Sequence, residues 1–464
     1  MRFTTFCTTG LLLLSSLTSQ ADTLLDLYQA AQQNDPVLKA AEAKLRSELE
    51  SSKDVQGYLL PQIGLTHSYS ERDHTLDSDN ILLDAGQEYT LKGTTTVISI
   101  SQTLLNFTQW YAYKGGQSYS EQAEAEFANT EEDLIARTTS AYLNVLRAHD
   151  NLASSYAEES AIKHQLDQTR QRFDVGLVAI TDVHESQAAY DLAKVARLAN
   201  EGALETAYEA LTVLTGQRYT GLATLAEDMP VTPPAPTERQ AWVDMAETNN
   251  LQLKQARKAV DTAEYKAKAT KAGHYPTLTA SYNREVRVGT QDYPNNLSYN
   301  ADVDEELTET VAITLQMPLY SGGRVSAARR QAYADYDQAR ESLTGAERTI
   351  IQQTRALHIA VLTQIQQVAA RKQAITSAQS ALEAIEAGYN VGTRNIVDVL
   401  NAQKLLYQAH RDYANARYDY IEALFDLKKA GGVLTPADIE ALNQWMVPER
   451  PATQETAHNS LQKS

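Results

Sequence analysis

The sequence predicts a mainly α-helical chain that also carries four β-strands suited to a membrane barrel. Three observations lead there. Two stretches far longer than an ordinary helix are nearly free of helix breakers. Segments of period-two alternation stand just before each of them. The whole arrangement then occurs twice.

The chain has 464 residues and a formal net charge of −18. An acidic balance of that size argues against nucleic acid as a partner, because phosphate binding needs an excess of Lys and Arg. At the N-terminus Arg2 precedes an apolar run from Phe6 to Leu17, followed by Ser19-Gln20-Ala21. This reads as an export leader, residues 1–21, with a mature start at Asp22. The run is too short to span a bilayer. Cys7 is the only cysteine and lies inside that leader. Disulfides, thiolate metal sites, a cysteine nucleophile and a lipid-bearing N-terminal cysteine are therefore not expected. No other stretch is apolar enough for a membrane helix, so any membrane insertion has to be by strands.

A first helix is expected from Thr23 to about Gln33, and a second from Pro36 to about Val55. Gly57 and Pro61 end helical structure. The period then changes to two. Ile63, Leu65 and Tyr69 share one side, with His67 as the polar exception, against Gln62, Gly64, Thr66, Ser68 and Ser70. After a polar stretch, Glu71 to Lys92, alternation resumes from about Thr94 to Thr103, with Ile98 and Ile100 against Val97, Ser99 and Ser101. A hydroxyl-lined face opposite an apolar one suits a barrel wall.

From Asn106 or Thr108 to about Gln171 there is no proline. One helix over that stretch spans about 95 Å at 1.5 Å per residue, the length of a coiled coil or rod. It turns at Val175-Gly176 and returns from about Thr181 to Leu214. Gly221 to Pro236 reads as a connector. Pro230, Pro233, Pro234 and Pro236 exclude regular structure around them.

The programme then repeats at an offset of about 215 residues: Asn34 and Pro61 recur as Asn249 and Pro276. Leu278, Ala280, Tyr282, Val286 and Val288 alternate with polar residues, and so do Leu307, Val311, Ile313, Leu315 and Met317. A polar, acidic loop, Gly289 to Glu306, separates the two runs. A second very long helix is expected from Arg324 to about Ala387, where Val361, Val368, Ile375, Leu382 and Tyr389 keep seven-residue spacing, the pattern of knobs-into-holes packing. It turns at Gly392 and returns from about Ile396 to Lys429. Thr435-Pro436 opens a short helix to about Trp445, and a polar tail follows from Pro448. The domain reading is therefore 1–21 leader, 22–228 first repeat, 229–236 linker, 237–430 second repeat and 431–464 short helix with tail. The strand hairpins fall at about 62–103 and 277–318, and the helical tips near 176 and 392.

The two tips superpose. Phe173 meets Tyr389, Gly176 meets Gly392, Ile180 meets Ile396 and Asp182 meets Asp398. Arg394 stands where the first tip has Val178, so a cation on one tip faces acids on the other wherever the hairpins meet. Asp182 and Asp398 also suit the first turn of a helix, and Asn395 with Asp398 reads as a capping box.

Four strands leave two open edges, which lipid does not tolerate, and membrane barrels need at least about eight strands. Strand number alone therefore calls for several chains around one barrel. Tyr58, Phe107, Trp110, Tyr111, Tyr113, Tyr275 and Tyr320 gather at the strand–helix junctions, as in a membrane-interface belt. A packed soluble core is the competing explanation. The histidines, among them His164, His184, His358 and His410, lack metal-ligand spacing. There is no nucleophile elbow and no phosphate-binding loop, so no enzyme, cofactor or metal site is expected.

The runs Gln165 to Thr169, Arg172 to Val183, Tyr389 to Val399 and Ala414 to Tyr418 resemble the TolC family of outer-membrane channels. With Leu60-Pro61-Gln62 and the internal repeat, the likeness covers nearly the whole mature chain. The resemblance implies a homotrimer with a twelve-stranded barrel in outer-membrane lipid and a helical tunnel across the periplasm. It implies docking to a periplasmic adaptor and to an inner-membrane pump of the RND, ABC or MFS type, in drug efflux or type I protein secretion. Residue by residue, it makes Arg394 the cation of a periplasmic gate latch, Asp182 and Thr181 its acceptors, Tyr389 a bonding partner of Asp182, and Gln165 a neighbouring latch position. Asp398 matches an acidic ring at the entrance. The family's second acid, one turn on, is here Asn401. Gly176 and Gly392 match the tips against which the adaptor docks. The rival reading is a periplasmic coiled-coil adaptor or scaffold that never inserts.

Overall fold

The computed structural model describes residues 22–76, 87–292 and 301–447. The expected leader, the tail from Pro448 and the centres of the two polar strand loops lie outside the described residues.

The chain runs α1 (Leu24–Asn34), α2 (Pro36–Gly57), β1 (Gln62–Leu76), β2 (Gln87–Leu105), α3 (Phe107–Asp174), α4 (Ile180–Thr215) and a two-residue strand β3 (Thr224–Leu225). It continues as α5 (Arg239–Asn249), α6 (Leu251–Lys271), β4 (Thr277–Asp292), β5 (Ala301–Gln316), α7 (Arg324–Asn390), α8 (Ile396–Ala430), α9 (Pro436–Asn443) and a short strand β6 (Met446–Val447). Residues 22–41, 129–250 and 349–447 form one compact unit, and residues 42–128 with 251–348 form another.

In the first unit the helix ends follow from local chemistry. Thr23 and Asp26 cap α1 reciprocally, satisfying two backbone donors that the helix itself leaves open. Asp35 ends α1 and begins α2, accepting from the Leu38 amide at 3.0 Å and from Arg137 Nη2 at 2.8 Å. Burial alone raises its carboxyl pKa. The Arg137 fork and the helix-start amides outweigh that and hold it below the usual carboxylate value. Leu24, Leu27 and Ala31 of α1, Tyr142, Leu143 and Leu146 of α3, Leu211 of α4 and Trp242 of α5 are fully buried. Each large apolar side chain buried this way contributes about 1.5–3 kcal/mol before entropy. Trp242 Nε1 donates to the Pro236 carbonyl at 2.7 Å, so the indole enters the core with its polar atom satisfied. The connector before α5 is not wholly irregular: β3 pairs with β6, and Ala226 N–H donates to the Trp445 carbonyl at 2.8 Å. Its proline stretch, from Pro230 on, carries no helix or strand.

The seven-residue spacing on α7 marks its buried stripe. Val361, Val368 and Leu382 are buried, and Leu382 packs with Ala402 and Leu406 of α8. Near the tips Ile162 of α3, Ala193 of α4 and Ile396, Val399 and Leu400 of α8 form one apolar cluster, with Ile385 and Tyr389 of α7 against it. All four long helices thus meet there.

In the second unit the sheet is antiparallel in the order β1-β2-β4-β5, leaving β1 and β5 as edges among the described residues. The register separates two faces. Ile63, Leu65 and Tyr69 fall with Ile98, Ile100, Tyr282, Val286, Val311 and Ile313 on one. Thr66, Ser68, Thr95, Ser99, Ser281, Asn283 and Thr310 fall on the other. The apolar face is uncovered: Val311 is 80% and Ile63 75% exposed. It is interrupted where His67 Nδ1 lies 2.8 Å from the Thr96 hydroxyl, and where Glu309 accepts from the Tyr282 hydroxyl at 3.0 Å and lies 3.9 Å from Arg284 Nε. The strands extend further than their alternation suggests. Residues 71–76 and 87–93, read as a polar stretch, continue β1 and β2, and residues 289–292 and 301–306 continue β4 and β5. Cross-strand polar pairs replace apolar ones there: Lys92 lies 3.0 Å from Glu71, and Thr90 donates to Asp73 at 2.7 Å.

At the strand–helix junctions Phe107 meets Tyr275 edge to face at 5.7 Å, and Trp110 lies 5.9 Å from Tyr113. Tyr58 and Tyr320 are exposed. These rings form no closed soluble core. Among the described residues no helix is long and apolar enough to cross a membrane.

Candidate functional site

The two hairpin tips end their first helices in the same way. At the first, Leu177 N–H donates to the Arg172 carbonyl and Gly176 N–H to that of Phe173, both at 2.8 Å. At the second, Thr393 N–H reaches the Gly388 carbonyl at 2.8 Å and Gly392 N–H that of Tyr389 at 3.1 Å. Both are Schellman turns, which require a left-handed residue, and Gly176 (φ 79°) and Gly392 (φ 81°) supply it. The turns leave Val175, Leu177 and Val391 exposed.

The helices that follow begin differently. Asn395 and Asp398 form the expected capping box: Asn395 Oδ1 accepts from the Asp398 amide at 2.9 Å, and Asp398 Oδ2 accepts from the Asn395 amide at 3.4 Å. At the first tip Ala179 stands in the cap position and offers no side-chain acceptor. The Asp182 carboxylate therefore has no reciprocal cap, and accepts only a long bond from the Thr181 hydroxyl, 3.4 Å, among the described residues.

Arg394 is exposed in the turn before α8 and lies 3.9 Å from Asp398 in the first turn of that helix. Among the described residues no ion pair joins Arg394 to Asp182, and the Tyr389 hydroxyl, although buried, has no hydrogen-bond partner. The residue that ties the two tips within a protomer is Arg172. Its guanidinium sits 4.9 Å from the Tyr389 ring centroid and donates to Asn390 Oδ1 at 3.1 Å. Superposing the tips shows why the contact is one-sided. Arg172 falls on Gly388, whose missing Cβ is the room that the Arg394 side chain occupies: a Cβ there would meet Arg394 Cγ at 2.8 Å. Sequence reasoning missed Arg172. Its signal was the position directly before Phe173 in the same superposition.

Gln165 is buried, and its carbonyl accepts from the Thr169 hydroxyl at 2.8 Å. Asn401 is exposed one turn beyond Asp398. Asp182, Asp398, Arg394 and Tyr389 are thus brought to one end of the helices, with Gln165 further up α3. Among the described residues no cluster of His, Cys, Asp and Glu could hold a metal ion.

Compared with known proteins, the chain matches the Outer membrane efflux protein family over residues 27–217 and again over 242–433. The chain belongs to that family. It is similar to the outer membrane protein TolC of Vibrio cholerae serotype O1, 36% identical over 427 residues, covering 91% of this chain and 93% of the relative. It is similar to the proteases secretion protein PrtF of Dickeya chrysanthemi, 28% identical, covering 94% of each. Among solved structures, the outer membrane protein VceC from Vibrio cholerae superposes with a TM-score of 0.74 at 19% identity, over 88% of this chain and 96% of that one. An outer membrane efflux protein is a channel rather than an enzyme, and it resides in the outer membrane. The rival reading, an adaptor that never inserts, is set aside by this membership.

Proposed function

We propose that three copies of this chain close a twelve-stranded barrel in the outer membrane and continue as a helical conduit in the periplasm. The duct is gated at the helix tips. The observation that carries this reading is the open four-stranded sheet, with β1 and β5 unpaired at its edges among the described residues and an uncovered apolar face. Pairing β5 of one copy with β1 of the next removes both edges, and lipid covers the apolar face. An exposed stripe on α4, Leu192, Val195 and Leu198, supports helix packing between copies. The two structural repeats, 22–228 and 237–430, each supply one strand pair and one helical hairpin.

At the tips, Arg394 of one copy pairs with Asp182 and Thr181 of a neighbour, and Tyr389 turns its free hydroxyl to Asp182. Gln165 steadies the helix beside them. The incomplete bonding of Asp182 and the Tyr389 hydroxyl within the protomer supports this. Solvent-side pairs of this kind contribute only about 0.2–1 kcal/mol each, so a docking partner overcomes them. Asp398, repeated threefold, lines the entrance. The exposed apolar residues beside Gly176 and Gly392 suit the hairpin of a periplasmic adaptor, which couples the duct to an inner-membrane pump of the RND, ABC or MFS type. The family description favours efflux and the name of the PrtF relative favours protein secretion, and drug efflux and type I protein secretion are the two modes proposed for the duct. The test is crosslinking from single cysteines at Val175 and Val391. Capture of an adaptor and its pump supports the reading, and capture of neither from cells that express them contradicts it.

A further inference from the structure

The outer part of the sheet carries a feature that the gate at the helix tips does not explain. Gly93 of β2 and Gly289 of β4 are register partners. By the period-two alternation, the hydrogens that replace their side chains point to the hydroxyl-lined face, the same face as Thr95 and Arg287. The two backbones approach there more closely than a side chain permits. A Cβ on Gly93 would lie 2.7 Å from the Val288 carbonyl oxygen, and one on Gly289 2.8 Å from that of Lys92. Crowding on one face means the sheet is bent concave toward it. Beside this point the β4–β5 ladder bulges. Between the pairs Arg287–Glu306 and Gly289–Val303, two steps on β4 face three on β5. A bulge sharpens the bend and the local twist.

The bend carries charge. Arg287 Nη2 lies 2.9 Å from Glu285 Oε1, and its Nη1 lies 4.0 Å from Glu306 Oε2. All three side chains share the concave face. Nearer the helices that face offers Ser281, Ser99, Asn283 and Thr310, with no charge.

We infer that Glu285, Arg287 and Glu306, set at the Gly93–Gly289 bend, form a charged constriction of the barrel lumen at its outer end, separate from the gate at the helix tips. The inference rests on the proposed barrel, whose lumen the hydroxyl-lined face must line. In a ring of three copies this level holds six carboxylates and three guanidiniums, with Arg72 on the same face one pair further out, so long charged side chains narrow the lumen there and limit solute size.

The test uses engineered cysteines in the full chain, since Cys7 in the expected leader is its only cysteine. Asn283→Cys lies on the concave face on the helix side of the bend, and Val311→Cys on the opposite, apolar face. Whole cells are treated from outside with a small methanethiosulfonate or with a maleimide on a long polyethylene glycol chain. Each rate is normalised to that of the same reagent on a free thiol. The small reagent labels Asn283→Cys, and the large one does so at least about tenfold more slowly, because pore diameter sets access. Adding Arg287→Ser with Glu306→Ser shrinks that penalty several-fold. If that double change does not assemble, Arg287→Gln alone shifts it in the same direction. Equal normalised rates at Asn283→Cys, or a penalty unchanged by these substitutions, overturn the constriction while leaving the barrel intact. Labelling of Val311→Cys with none at Asn283→Cys overturns the barrel's face assignment and the constriction with it.

Discussion

At the scale of single residues, Arg394 and Asp182 are poised rather than satisfied. Among the described residues Arg394 holds only a long contact to Asp398, and Asp182 only a long bond from Thr181. Arg394→Ser is expected to raise the unitary conductance of the channel in planar lipid without lowering its thermal stability, because each such pair contributes no more than about 1 kcal/mol. A stability loss with unchanged conductance would instead make Arg394 a structural residue. Asn401 gives a second prediction. The proposed entrance ring has one acid per chain, Asp398, with the exposed Asn401 one turn on, so Asn401→Asp should strengthen block by multivalent cations. Equal block in the two proteins refutes the ring. Glu132 gives a third. Burial pushes its pKa up to about 7, against the pull of the Leu434 amide and Lys429 and with the push of Asp133. Its Oε1 has no partner among the described residues. A carboxyl with a raised pKa holds its proton more tightly in the folded chain than in the unfolded one. The stability contributed by this carboxyl is therefore fully present at and below about pH 4.5 and is lost as pH rises from there to about 7. Glu132→Gln should remove that slope and stabilise the protein at pH 8, on the order of 1–3 kcal/mol, as thermal unfolding across pH would read.

At the scale of elements, the tips are where sequence and structure agree most closely. Gly176→Ala and Gly392→Ala each force a side chain into the left-handed region, although the space around both is open. A cost of about 1–2 kcal/mol is expected, with faster hydrogen exchange at the Gly176 and Gly392 amides. Gly202→Ala, mid-helix in α4 with equally open space, should instead stabilise by about 0.5–1 kcal/mol. Helix ends were legible because their signals are local: Thr23 with Asp26, Asn395 with Asp398, the glycines of the turns. The seven-residue row from Val361 to Leu382 was legible as a buried stripe for the same reason. The outer halves of the strands were not. At Glu71, Lys92 and Glu306 both faces carry polar residues, and what keeps them in strands is cross-strand pairing, which a single chain read in order does not display. The Arg172 contact to Tyr389 and Asn390 was hidden likewise, since its partners lie over two hundred residues away in sequence. The pairing of β3 with β6 joins two segments too short to show any period.

At the scale of the whole molecule, the strand count decides the architecture. Four antiparallel strands with two open edges and an exposed apolar face do not satisfy their backbone in lipid, and among the described residues no other element completes them. Family membership fixes the outer membrane as the setting, and closure by neighbouring copies is what reconciles the setting with the sheet. The proposed gate, entrance ring and outer constriction each need several copies around one axis, so all three proposals depend on that closure. The most direct measurement is the mass of the folded protein extracted from outer membranes, corrected for bound detergent. A mass of three chains is the expected result. A single folded chain that remains soluble and monodisperse without detergent would contradict it.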